Sequence, residues 1–399
     1  MSNLYMIKHY IMSDGDKMKI LLVDLWRVIK YKGGAEKVFF DMANTMSRRG
    51  HNVTALGLQD AEGEPSFYVD SNVRFINAGI GLKVKKNIFQ KVKSLFLSDD
   101  AKVKYSEAIY DKLKGNRLAP VINSGDFDII ISFSVEATRI LINTLHVKKP
   151  IITMFHFAPQ VILNGISENT IEALNKCACI QVLLPSYVDV VKKYVDVKVV
   201  CIPNIVPQYQ FNEVVPNNTI INIARIDRQQ KRQLLLIDAF NKIKVKYPDW
   251  QVEFWGNTDF DKKYYNECLK AVKDNQLTER VHFCGTTDKV LEKYQKAKIF
   301  VFPSLHEGFG LALTEAMSAG LPAIGYKNCV GTNELIINGK TGILCDDGVD
   351  SLALALDELM SDAELRKKMG KAAKEEMKQY APDKIWNMWE ELINSIKNR

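Results

Sequence analysis

The sequence predicts two doubly wound α/β domains, each a parallel sheet with helices on both faces. Three observations carry this. At 399 residues the chain exceeds what one hydrophobic core ordinarily serves. Short, continuously apolar runs alternate with helical patterns, and the alternation occurs twice. The two series are separated by "IPNIVPQYQFNEVVPNN", residues 202–218, a stretch with three prolines.

The first series begins at "MKILLVD" from Met18, a buried strand by its composition. A helix follows the Gly33-Gly34 turn, with Val38, Met42 and Met46 spaced by four and Gly50 as its stop. Further strands are expected from His51, Asn72, Phe127, Pro150, Cys179 and Val197. The second series has strands from Thr219, Trp250, Arg280, Lys298, Leu321 and Thr341, with helices from about Lys231, Asp261, Lys289, Gly310, Thr332 and Ser351. A last helix starts at Pro382, where proline suits the first turn, and carries Ile385, Trp386, Trp389 and Ile393 on one face. The expected organisation is a prelude over 1–17, an N-terminal domain over 18–203, a C-terminal domain over 204–380, and a closing helix over 381–399 that packs back on the first domain. Such sheets bind ligands outside the carboxyl ends of their strands, so two of them facing each other would enclose a cleft.

Composition is that of an ordinary globular protein, with 47% hydrophobic and 25% charged residues. The net charge of +7 favours anionic partners but falls short of a nucleic-acid-binding tail. Seven cysteines occur without a C-x-x-C pair, several inside apolar runs, and are expected to be buried thiols of a reducing compartment. The first residues hold no apolar run of signal-peptide length, and nowhere do about 18 apolar residues follow one another. A cytoplasmic location is therefore expected, with the inner face of the membrane still accessible. Leu82 to Tyr105 contains seven lysines and two aspartates, and Ile88, Val92, Leu95 and Phe96 share one helical face with Phe89 beside them. This basic amphipathic helix suits peripheral contact with an anionic membrane, or equally packing on its own domain with solvated lysines.

The chemistry concentrates in "HEGFGLALTEAMSAGLP", His306 to Pro322. A glycine-rich turn with Glu307, Gly308 and Gly310 feeds a helix, whose first backbone N–H groups and positive dipole end suit a phosphate. Carboxylates at Glu307 and Glu315 can each accept paired hydroxyls of a sugar or ribose, or can be ordinary helix and surface charge. His306 is expected only to shape the turn. Upstream, Arg225 ends a strand and Lys231 opens a helix six residues later, an Arg fork and a Lys point charge that match a diphosphate. Arg228 and Arg232 compete for that role, and a solvated basic loop is the alternative. His156 in "TMFHFAP" follows a strand, where it either faces a ligand or packs between Phe155 and Phe157.

Glu307-x7-Glu315 around Gly308-Phe309-Gly310, Arg225-x5-Lys231, the "IPN" stretch and the Gly-Gly turn after the first strand resemble glycosyltransferase family 4. The resemblance covers nearly the whole chain from Met18, with its specific part in the C-terminal domain. It implies the GT-B fold, two Rossmann-like domains facing across a cleft, and a retaining, metal-independent transferase that uses a nucleotide sugar, a UDP-sugar first among them. By the same resemblance Arg225 and Lys231 would hold the donor diphosphate, Glu315 the ribose, and Glu307 the sugar hydroxyls. Amides around Phe309, Gly310 and Leu311 would face sugar or phosphate, Cys284 and Gly285 the base, and Gly33 and Gly34 the diphosphate. His156 would contact the donor sugar or assist the acceptor. The acceptor would be a saccharide or lipid-linked saccharide in polysaccharide, lipopolysaccharide or other glycoconjugate synthesis.

Other readings find less in the residues. Asp126-Phe127-Asp128 and Asp259-Phe260-Asp261 have the D-x-D form of a metal-held sugar nucleotide, but the first opens a strand and the second suits a helix cap. The turn after the first strand lacks G-x-G-x-x-G, which argues against a dinucleotide enzyme. A nucleotide-sugar epimerase or phosphorylase of the same architecture remains an alternative, as does a non-catalytic nucleotide-sugar-binding protein. The complete set of Arg225, Lys231, Glu307 and Glu315 argues against the last.

Overall fold

The computed structural model describes residues 17–210 and 216–397. The expected prelude, apart from Lys17, lies outside the described residues, as do residues 211–215 of the connecting stretch. The chain divides into two compact units. One comprises the chain up to Pro203 together with the segment from Trp386, and the other is Asn204–Ile385.

The first unit contains β1 (Lys19–Asp24), α1 (Gly34–Arg48), β2 (Asn52–Gly57), β3 (Arg74–Asn77), α2 (Ile88–Leu95), α3 (Asp99–Ser124), β4 (Ile129–Ser132), α4 (Val135–Arg139), β5 (Ile151–Met154), α5 (Pro159–Leu163), α6 (Glu168–Leu174), β6 (Cys179–Val182), α7 (Pro185–Lys192) and β7 (Val199–Cys201). Its seven strands are ordered β3-β2-β1-β4-β5-β6-β7. The second unit contains β8 (Thr219–Ile223), α8 (Gln233–Ile243), β9 (Gln251–Trp255), α9 (Lys262–Asp274), β10 (Val281–Phe283), α10 (Val290–Lys296), β11 (Ile299–Phe302), α11 (Leu311–Ser318), β12 (Ala323–Tyr326), α12 (Thr332–Leu335), β13 (Gly342–Cys345), α13 (Val349–Ser361) and α14 (Ala363–Glu376). Its six strands are ordered β10-β9-β8-β11-β12-β13. Pairing is parallel throughout both sheets. The central strands are buried along their length, as continuous apolar runs require when helices cover both faces.

A final helix, α15 (Pro382–Lys397), buries Trp386, Trp389, Leu392 and Ile393, and from Trp386 it groups with the first unit. Its polar anchor is Glu390, which meets the Nε2 of buried His51 at 3.1 Å while the His51 Nδ1 accepts the Met18 N–H at 3.2 Å. Arg49 adds a 3.2 Å hydrogen bond to the Asn387 side chain. Among the described residues no helix is long and apolar enough to cross a membrane.

The basic segment 82–105 is not a single helix. Asn87 and Gln90 form a reciprocal capping box that starts α2. Ser98 caps the Ala101 N–H and starts the separate, longer α3. The apolar stripe does not pack on the domain, because Phe89 and Phe96 are 83% and 84% exposed.

Two buried polar features tie the first unit together. Arg139, at the end of α4, donates to both carboxylate oxygens of Asp111 at 2.7 and 2.8 Å, to Glu107 at 2.9 Å and to Thr170 at 2.8 Å. One guanidinium thereby joins α3, α4 and α6. His156 lies two residues beyond β5, its ring stacked on Phe133 with centroids 4.8 Å apart and planes at 18°. It does not sit between Phe155 and Phe157, because Phe155 is buried in the core while Phe157 is 54% exposed. Its Nε2 is buried and has no partner among the described residues. Burial lowers its pKa from 6.5 to about 4, so the imidazole is neutral at neutral pH.

Arg139→Met strands two carboxylates and should destabilise the protein by about 3–5 kcal/mol in urea unfolding. Arg139→Lys should recover only part of this, since an ammonium cannot reproduce the fork. A His with a depressed folded-state pKa contributes nothing adverse above its unfolded value of 6.5 and destabilises as pH falls toward 4, by up to about 3 kcal/mol. The melting temperature of the wild type should therefore fall more steeply between pH 6.5 and 4 than that of His156→Phe. Parallel curves would contradict this assignment.

Candidate functional site

In the second sheet β8 and β11 are neighbours, and the chain winds outward in opposite directions from them. This is the topological switch point, where the loops leaving two adjacent strands diverge and open a crevice at the carboxyl edge. The loop after β8 carries residues 224–232 and the loop after β11 carries residues 303–310. Arg225, Lys231, Glu307, Gly308, Phe309 and Gly310 all lie on these two loops.

Asp227 organises the first loop. One of its oxygens accepts the N–H groups of Gln229 at 2.9 Å and Gln230 at 3.2 Å. The other accepts from the Arg225 guanidinium at 2.8 and 3.1 Å. Gln230 accepts from Arg225 at 2.6 Å and donates to the His306 carbonyl at 2.9 Å, and its own carbonyl accepts the Leu305 N–H at 2.8 Å. The two loops are therefore laced together before any ligand arrives. Arg225, about a third exposed, lies 4.6 Å from the Phe260 ring.

The competing cations are engaged elsewhere. Arg228 is exposed, pairs with Glu267 and lies over the Tyr264 ring. Arg232 has a left-handed backbone (φ 49°) and donates to the Pro303 carbonyl at 3.0 Å and to Asp347 at 2.9 Å. Lys231 instead reaches across the crevice. Its Nζ meets Glu307 Oε1 at 2.5 Å and lies 4.8 Å from the Phe302 ring, and both partners of the pair are nearly buried.

Glu307 is fixed by its own backbone, whose N–H donates to the Val330 carbonyl at 2.8 Å. Phe309 is buried edge-on against Tyr380, with centroids 5.3 Å apart. Gly310 caps α11 with φ 65° and ψ 56°, a left-handed conformation that a side chain would strain. The turn thus delivers the first N–H groups of α11, from Leu311 onward, to the crevice without intrahelical partners. Glu315 lies one turn into α11 and is partly buried rather than exposed. Its charge reinforces the burial that raises the Tyr294 phenol, whose hydroxyl donates to the Ala312 carbonyl at 3.0 Å. Cys284 and Gly285 follow β10 at the same carboxyl edge, held by Cys284 N–H to Phe254 O at 2.9 Å and Gly256 N–H to Gly285 O at 2.8 Å. Burial pushes the Cys284 thiol up to about 11, so it is a neutral lining group.

The first unit places Gly33, Gly34 and His156 at the carboxyl ends of β1 and β5. Gly33 is the cap of α1, and a β-carbon there would stand 2.2 Å from the Glu36 carboxylate. Glu36 in turn acts on Asp24, the buried last residue of β1, whose pKa is raised to about 7 by burial, with the Glu36 charge adding to it, while the Trp26 N–H donates to it at 3.0 Å. Sequence reasoning missed Asp24, Glu36, Asp227 and Gln230. The signal for Asp227 was present, since Asp two residues before a polar turn residue is an Asx-turn pattern. Both D-x-D stretches are structural: Asp261 caps α9, and Asp128 accepts the Lys19 N–H at 2.7 Å.

Residues 208–376 match the family model described as glycosyl transferases group 1. The chain is 24% identical to an exopolysaccharide phosphotransferase of Streptomyces coelicolor over 96% of its own length but 41% of that protein. It is 32% identical to the N-acetyl-alpha-D-glucosaminyl L-malate synthase of Bacillus anthracis, over 44% of this chain and 45% of the synthase. The chain spans less than half the length of both relatives. Among solved structures it resembles TarM of S. aureus, in complex with fondaparinux, alpha-GlcNAc-glycerol and UDP, with a TM-score of 0.74 and 15% identity over 94% of this chain and 100% of TarM. That likeness shows the fold, which is GT-B. The stretch that matches the family model lies in the second unit and includes both loops of the crevice.

Proposed function

We propose that the chain is a retaining glycosyltransferase that moves a sugar from a nucleoside-diphosphate sugar, a UDP-sugar in the first instance, without a bound metal. The observation that carries this reading is the buried Lys231–Glu307 pair beside the capped start of α11. A buried lysine and carboxylate satisfy each other at rest, and a diphosphate competes for the lysine with greater charge. Lys231 and the Arg225 fork then hold the phosphates, with the α11 amides as further donors. Glu307, released from its cation, accepts hydroxyls of the donor sugar, and Glu315 holds the ribose.

The same groups favour reaction. As the sugar–phosphate bond breaks, charge grows on the leaving diphosphate, where Lys231, Arg225 and the helix start already stand. The acceptor hydroxyl attacks the anomeric carbon on the departing face, and a leaving-group phosphate oxygen takes its proton. Neutral His156 is assigned to sugar or acceptor contact at the end of β5, and Gly33 and Gly34 to phosphate contact at the end of β1. Cys284 and Gly285 are assigned to the base.

The proposed acceptor is a saccharide or lipid-linked saccharide of cell-surface polysaccharide, lipopolysaccharide or other glycoconjugate synthesis. The exopolysaccharide relative and the UDP and glycan-type ligands named for the TarM structure support this reading. The proposed location is the cytoplasm, at the inner face of the membrane. Buried, protonated thiols at Cys177, Cys268, Cys329 and Cys345 are in keeping with a reducing compartment.

A thermal-shift screen against UDP-, GDP-, ADP- and CMP-sugars should give one stabilising donor class. With that donor, Glu307→Gln should lower kcat by about 10²–10³-fold. Glu315→Gln should raise the donor KM roughly tenfold and leave kcat nearly unchanged. Near-normal kinetics in both variants would overturn the assignment.

A further inference from the structure

The strongest unexplained surface feature is α2. Its side chains Ile88, Phe89 and Val92, and the following Phe96, are 73%, 83%, 51% and 84% exposed. These positions fall on one helical stripe. Lys91 and Lys93 lie along its two borders, and Lys83 and Lys85 precede it, all four exposed. The helix is tied to α3 away from that stripe: Lys86, just before the helix cap, donates to Ser106 at 2.6 Å, and Lys93 lies 5.2 Å from the Tyr105 ring. α2 is thus held to the start of α3, with its apolar side turned outward.

We propose that α2 is a membrane anchor that docks flat on an anionic lipid surface, with Ile88, Phe89, Val92 and Phe96 entering the headgroup–acyl boundary. Border lysines on an apolar stripe let aliphatic stems follow the inserted side chains while the ammonium groups meet lipid phosphates. A protein partner fits less well, because protein interfaces are depleted in lysine whereas anionic headgroups attract it. One short stripe gives weak binding alone, and apolar insertion and basic attraction together make a stable but reversible association. The docking stands on α2 alone and holds whether or not the second unit transfers sugar.

The test is flotation of the full chain with phosphatidylcholine vesicles, with and without phosphatidylglycerol. The wild type should float with the anionic vesicles only, and added salt should weaken the binding. Phe89→Ser combined with Phe96→Ser should lower vesicle affinity roughly tenfold or more, with an unchanged melting temperature because both rings are exposed. Lys85→Gln with Lys91→Gln should weaken binding to anionic vesicles and flatten its salt dependence. As an independent readout, Phe89→Trp should add a vesicle-dependent blue shift of fluorescence beyond that of the wild type. No flotation of the wild type, wild-type affinity in the double Phe variant, or no added shift from Phe89→Trp would each overturn the proposal.

Discussion

A lysine and a glutamate 76 positions apart in sequence hold the second unit's crevice in its resting form. Lys231 comes from the loop after β8 and Glu307 from the loop after β11, and these strands are neighbours only because the sheet reverses its winding between them. Buried ion pairs contribute little net stability, since desolvation offsets attraction. The value of this pair lies elsewhere. The two groups satisfy each other in a nearly buried site, and in the proposed function a diphosphate would compete for the lysine and release the glutamate. The rest of the site supports that arrangement. Asp227 folds the first loop, Gln230 links it to the second, and Gly310 turns the second into a helix start.

The two units divide the physical work unequally. The second concentrates fixed cations, free amides and carboxylates at one sheet edge. The first carries neutral or nearly neutral groups at its strand ends, with His156 kept uncharged by burial and Asp24 raised toward neutrality by the same cause. Apolar burial sets both values, so the same packing that stabilises the strands tunes the groups at their ends.

Much of the fold was readable in the sequence because its strands are buried on both faces. Runs such as "IIIS" and "IFVF" need no periodicity to be recognised, and the prolines near residue 203 mark the break. Helices were harder. α14 offers no clear apolar stripe because its surface is largely charged, and the segment from Leu82 reads as one helix because its apolar stripe outweighs the Ser98 cap. The motif residues of the site were readable as types and spacings. Their contacts were not, since Lys231 with Glu307, or Gln230 with the His306 carbonyl, depend on which strands become neighbours. The side on which His156 packs was equally hidden, because its partner Phe133 comes from a different strand end.

If the ligand's diphosphate takes Lys231 from Glu307, the two residues have opposite effects on nucleotide binding. Calorimetric titration of UDP into Lys231→Met, Glu307→Gln and the double variant measures this directly. Lys231→Met should weaken UDP binding, Glu307→Gln should bind UDP as tightly as the wild type or more tightly, and the glutamate change should have no effect once the lysine is gone. Equal weakening by both single variants would mean that the pair acts as one fixed structural unit, and would contradict the account.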